Sequence, residues 1–106
     1  MSLRMETQEK TVTARLDGEI DHHTAKGIRE EIDEYVGRVK PETLVLDFKD
    51  VSFMDSSGIG LVMGRYKLMT FLGGHVTVLN TSPQITRVMK LAGLERLVTI
   101  KKGGNN

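Results

Sequence analysis

The sequence predicts an α/β fold: one domain over residues 1–106, with a mixed sheet of four to five strands in the order β-β-α-β-α-β-α and room for a terminal β. Three observations carry this. Apolar and polar residues alternate near the N-terminus, apolar residues recur at spacings of three and four from Ala25 onward, and alternation returns after Gly73-Gly74. The β-α-β units of the later chain imply parallel neighbours joined by right-handed crossovers, so the sheet is mixed.

Residues 3–8 and 11–19 are β-prone runs either side of Glu9-Lys10, and Val12, Ala14 and Leu16 alternate within the second; together they read as a hairpin. From Ala25 the period changes, with Ile28, Ile32, Tyr35, Val36 and Val39 forming one helix face. Asp21 or Thr24 can cap that helix, and Pro41 closes it. Residues 43–48 are nearly continuously apolar, which suits a strand covered on both faces. Residues 49–55 read as a loop, and a second helix follows from about Ser57 to Leu72, ended by Gly73-Gly74. Residues 75–79 alternate as a strand, and Ser82-Pro83 supplies a cap and a first-turn proline for a third helix to about Leu91. Gly93 stops that helix, a last short strand fits around residues 98–100, and residues 101–106 are expected to fray.

Composition excludes several function classes. With 39% hydrophobic and 27% charged residues the chain is of ordinary globular type. Its 15 basic and 14 acidic residues leave a net charge of +1, so no broad field draws nucleic acid or anionic membrane, and neither is expected as a partner. The absence of cysteine removes disulfides, thiolate metal sites and a cysteine nucleophile. Charges at Arg4, Glu6, Glu9 and Lys10 interrupt any signal-peptide stretch, and no run reaches membrane-spanning length, so a cytoplasmic protein is expected. Without a long exposed apolar segment, the free chain is expected to be a monomer.

Two stretches carry chemistry. The first, residues 53–60, holds Asp55, Ser56, Ser57, Gly58 and Gly60 beyond the carboxyl end of a buried strand, where open α/β sheets commonly place sites. A helix start there accommodates a phosphate, although Asp and Ser are equally the favoured capping residues. Catalysis finds no support: Met54 and Asp55 stand where a Gly-x-Ser-x-Gly elbow needs glycine. Gly58, Gly60 and Gly64 miss the dinucleotide fingerprint by one residue, leaving a nucleotide site over residues 58–64 as the rival from another class. Those glycines thin one helix face, for close approach by a partner or by the chain's own sheet. The second stretch is the polar loop Gly18–Thr24, with Asp21 beside His22 and His23; no metal-binding spacing is present, and capping and surface contact suit it better. Arg65, Tyr66 and Lys67 could form a cationic and aromatic edge or a solvated face.

Residues 18–25 and 52–60, with Gly64-Arg65-Tyr66-Lys67 in register, closely resemble the STAS family of anti-sigma factor antagonists, and most of all its sporulation branch. The likeness spans nearly the whole chain and differs at the C-terminus, where the family continues into a further helix and this sequence ends Gly103-Gly104-Asn105-Asn106. The resemblance implies a protein-binding switch, not an enzyme. The dephosphorylated form would bind an anti-sigma factor that is a serine kinase and free its sigma factor; phosphorylation of Ser56 would switch it off, and a serine phosphatase would reset it. Asp21 would contribute to kinase binding, with His22, Asp55, Ser57, Gly58, Gly60 and Gly64 as further partner-binding residues. No cofactor is implied on this chain, since ATP, ADP and magnesium belong to the kinase. A general stress branch of the family would differ only in its partner.

Overall fold

Alternation puts Val12, Ala14 and Leu16 on one side of a strand, and the same parity buries Leu44 and Leu46, and Val76 and Val78, on its neighbours. In the computed structural model, which describes residues 2–103, these strands are β1 (Ser2–Gln8), β2 (Thr11–Ile20), β3 (Thr43–Met54), β4 (His75–Thr81) and β5 (Thr99–Lys102). They form one sheet in chain order, β1 antiparallel to β2 and the rest parallel. Val12, Leu44 and Val76 lie in register across it, as do Ala14, Leu46 and Val78. The chain is a mixed five-stranded α/β domain of the expected element order, with the terminal strand present.

Helices α1 (Ala25–Val39), α2 (Ser56–Phe71) and α3 (Pro83–Leu91) cover this apolar face. Helix α1 buries Ile28, Ile32 and Val36, α2 buries Leu61, Val62 and Met69, and α3 buries Ile85 and Met89. Ser82 caps α3 as expected, its Oγ accepting from the Ile85 N–H at 3.2 Å. Gly73, at φ +81°, turns the chain out of α2.

Among the described residues no helix covers the opposite face, which corrects the expectation that β3 is covered on both sides. Thr13, Val45 and Thr77, in register on that face, are half-buried. The apolar run misled because Asp47, also on that face, is buried by polar means: its carboxylate accepts from Arg15 at 2.8 Å, Asn80 at 2.9 Å and the Lys49 N–H at 3.0 Å. Arg15 pairs also with Glu6 at 2.9 Å, so a polar ladder crosses four strands.

Residues 49–54 are strand, not loop. Polar Lys49, Asp50 and Ser52 disguised this because two register shifts against β2 break the alternation. Helix α2 begins at Ser56 rather than Ser57. Lys101 and Lys102, expected to fray, pair with β4; residues 104–106 lie outside the described residues.

Arg65 is not part of a surface edge. It is buried, and its guanidinium meets the half-exposed Asp33 of α1, Nε to Oδ1 at 2.8 Å outside hydrogen-bond geometry and Nη2 to Oδ2 at 3.3 Å. Burial pulls its pKa below the ordinary value, Asp33 opposes that, and Arg29 adds to it. Removing the partner strands a buried cation, whereas removing the cation leaves a carboxylate able to reach water. Asp33→Ala is therefore expected to cost about 2 kcal/mol or more in urea unfolding and Arg65→Met about 1 kcal/mol or less. Equal losses would place the cation's balancing charge elsewhere.

Candidate functional site: a serine at the tip of the β3–α2 turn

Strands β2 and β3 end level, Ile20 opposite Met54, and the Asp55 N–H donates to the Ile20 carbonyl at 3.1 Å. The loop after β2 and the turn after β3 are thereby held side by side, which brings Asp21 to the neighbourhood of Asp55. In this turn Asp55 is the N-cap of α2: its extended backbone lets its Oδ1 accept from the Ser57 N–H at 2.7 Å. The capping role thus falls to the aspartate alone. Ser56, the first helical residue, is exposed and its hydroxyl takes no part in the cap, while Ser57 is half-buried.

The loop at residues 21–24 is ordered by its own polar groups. Asp21 Oδ1 accepts from the N–H groups of His23 at 2.9 Å and Thr24 at 3.1 Å, and Thr24 Oγ1 accepts from the Asp21 N–H at 3.0 Å and donates to the Glu19 carbonyl at 3.0 Å. Thr24 occupies the N-cap position of α1 without a side-chain cap bond; Asp21 closes the preceding turn instead. The exposed rings of His22 and His23 lie 4.0 Å apart, centre to centre. Burial alone would raise the Asp21 pKa, but the bonds from Thr24 and His23 outweigh it and hold the carboxyl below its ordinary 3.8. Among the described residues no group of three or more His, Cys, Asp or Glu side chains could hold a metal, and no helix is long and apolar enough to cross a membrane.

Between the starts of α1 and α2 lies an open groove of about 390 Å³, lined by His22, Lys26, Arg29, Ser57 and Gly60 among others. Lys26 and Arg29 went unnoticed in the sequence, where nothing distinguishes them from any solvated helix charge. The glycines divide in purpose. A Cβ on buried Gly58 would overlap the side chain of Met54, so this glycine is needed by the chain's own packing. At Gly60 and Gly64 a Cβ meets nothing within 4 Å, so the bare stripe faces outward, Gly60 in the groove and Gly64 one turn beyond. Of the expected site residues, Asp21, His22, Asp55, Ser56, Ser57, Gly58 and Gly60 come together at this end of the sheet.

The STAS domain model matches residues 2–103, a span that includes the whole sheet and the capped, serine-bearing turn at the strand ends. The chain belongs to that family, and its relatives there are anti-sigma factor antagonists. It is 38% identical over 100 residues to the anti-sigma F factor antagonist of Paenibacillus polymyxa, covering 94% of this chain and 86% of the relative. With the anti-sigma-B factor antagonist of Bacillus subtilis it shares 28% over 100 residues, 94% and 90% of the two chains. Structures of the anti-sigma factor antagonist SpoIIAA in its unphosphorylated form and of the Bacillus cell fate determinant SpoIIAA in the phosphorylated form superpose with TM-scores of 0.81 and 0.74. Each is 35% identical over 93% of this chain, which covers 87% and 90% of theirs.

Two outcomes test this geometry. Gly60→Ala should stabilise the fold by about 0.5–1 kcal/mol in urea unfolding, since it raises helix propensity without contact. Gly58→Ala should instead destabilise it by about 1–2 kcal/mol, the overlap with Met54 exceeding the same gain. For Asp21, whose folded pKa is depressed, the contribution to stability is complete above pH 3.8 and is lost as pH falls below it. Amide protection factors at His23 and Thr24, taken relative to intrinsic exchange at each pH, should fall in that acid range, and Asp21→Asn should remove that fall.

Proposed function

We propose that this chain is an anti-sigma factor antagonist of the sporulation type, which binds a serine-kinase anti-sigma factor while Ser56 is free and is released once Ser56 is phosphorylated. The observation that carries this reading is the division of labour at the turn: Asp55 caps α2, so Ser56 stands exposed at the first helical position with its hydroxyl uncommitted. The greater identity to an anti-sigma F than to an anti-sigma-B antagonist supports the branch.

In the modification step the Ser56 Oγ attacks the γ-phosphorus of ATP held with magnesium by the kinase. An Oγ–P bond forms, the bond to the bridging oxygen breaks, ADP leaves, and the hydroxyl proton passes to a base on the kinase. A serine phosphatase reverses the state by hydrolysis, water supplying the new oxygen of inorganic phosphate. This chain holds no cofactor and acts as substrate and ligand, not as an enzyme.

Phosphorylation adds about −1.5 to −2 charges. Asp55 is adjacent and Asp21 lies on the neighbouring loop, so in a dry interface the phosphate meets like charge and must be desolvated. A penalty of about 3 kcal/mol weakens binding more than a hundredfold. In the free domain the N-terminus of α2 offsets part of that cost, so the fold persists while the complex does not. The nucleotide alternative is disfavoured because Gly60 and Gly64 lie inside α2, where backbone N–H groups are engaged within the helix instead of forming a phosphate cradle.

Intact-mass and site-mapping spectrometry after incubation with ATP and the anti-sigma F factor tests the site. One phosphate should appear on the unaltered chain and on Ser57→Ala, and none on Ser56→Ala. Binding without phosphate transfer would make the turn a helix cap in a plain adaptor, and a melting-temperature rise with ATP or GTP alone would favour the nucleotide reading.

A further inference from the structure

Phe53 is half exposed, at 50%, although it stands between Val51 and Met54, both buried in the core. Its exposure is produced by the backbone. Leu44, Leu46 and Phe48 point inward by simple alternation. Beyond them β3 advances from Asp47 to Asp50 while β2 advances from Arg15 to Asp17, and the inward parity passes to Val51. A second shift follows at once: Gly18 pairs with Val51 but Glu19 pairs with Phe53, leaving Ser52 as the extra residue. Without it, alternation from Val51 would bury Phe53; with it, Met54 is buried and the phenyl ring is turned out. Gly18, at φ +100°, supplies backbone for the shift on β2.

An irregularity that presents the larger apolar side chain to water and buries the smaller one works against the core. Its position gives it a purpose. Phe53 lies opposite Glu19 and three residues before Ser56, so its exposed ring stands at the same end of the sheet as the Asp21 loop and the turn that bears Ser56. Aromatic anchors of this kind, set beside a polar contact region, dominate the energy of many protein interfaces.

We propose that Phe53 is the apolar anchor with which this domain seats itself in an uncharged pocket of the serine-kinase anti-sigma factor, beside the place that receives Ser56. The inference rests on the function proposed above and adds a division of roles within it. Phe53 supplies affinity that does not depend on charge, and Ser56 supplies the switch. Docking through Phe53 acts on encounter with the kinase and not on phosphoryl transfer, so its loss affects KM rather than kcat.

The test uses the full chain and the anti-sigma F factor, with Phe53→Ala, Phe53→Leu and, as control, Phe71→Ala. Phe71 is more exposed, at 86%, but sits at the far end of α2. Calorimetric affinity and the kinetics of Ser56 phosphorylation are read for each. Phe53→Ala should weaken binding by about thirtyfold and raise KM with kcat little changed, Phe53→Leu should retain most of the affinity, and Phe71→Ala should match the unaltered chain. Equal affinity of Phe53→Ala and the unaltered chain overturns the inference and leaves the proposed function standing. A Phe53→Ala chain that fails to fold by circular dichroism also overturns it, since the ring would then serve the fold. If the unaltered chain itself does not bind, the proposed function fails, and the anchor with it.

Discussion

The parallel pairing of β2 with β3 is the constraint on which the rest of the site depends. It ends the two strands at one level, and the bond from the Asp55 N–H to the Ile20 carbonyl fixes the two following turns to each other. The candidate site hangs from that junction. Asp21 reaches the neighbourhood of Asp55 only because both strands stop together, and α1 and α2 start close enough to form a groove for the same reason. The shifts in this pairing then decide which residues of the β3 tip look inward and which look out.

Around that junction the chain separates rigidity from reactivity. Asp21 and Asp55 spend their carboxylates on nearby N–H groups, which fixes two turns without using either serine hydroxyl. Gly58 lets α2 start tightly over Met54. The buried Arg65 ties α2 to Asp33 of α1, so the helices that flank the groove are braced further along their length. A modification at Ser56 therefore adds charge at the end of a fixed scaffold, and the physical consequence falls on whatever is docked there.

Much of this was legible in the sequence, for reasons that also explain what was not. Period-two and period-three-to-four patterns are set by local geometry, so β2, α1, α3 and the Ser82-Pro83 cap could be read directly. The second half of β3 could not, because each shift moves the inward set by one residue, so buried Val51 and Met54 fall out of alternation, with Val51 between Asp50 and Ser52 as in a loop. The burial of Arg65 was hidden for another reason: its partner Asp33 belongs to a different helix, and three consecutive polar residues resemble a solvated face. Asp55, Ser56 and Ser57 were recognisable as a helix start, but chemistry alone did not divide capping from reactivity among them. The capping role follows from the extended backbone of Asp55 and its bond to Ser57, while Ser56 as the modified residue is what the family resemblance implies.

In the proposed function the switch at Ser56 is an interface effect on an unchanged fold. The most direct measurement is a comparison of backbone amide NMR spectra of the free domain before and after stoichiometric phosphorylation of Ser56, paired with the affinity of each form for the anti-sigma factor. Shifts confined to the 20–26 loop and the start of α2, together with a loss of affinity of a hundredfold or so, are the expected result. Changes spread through β4, α3 and β5 would mean instead that the phosphate works by rearranging the fold.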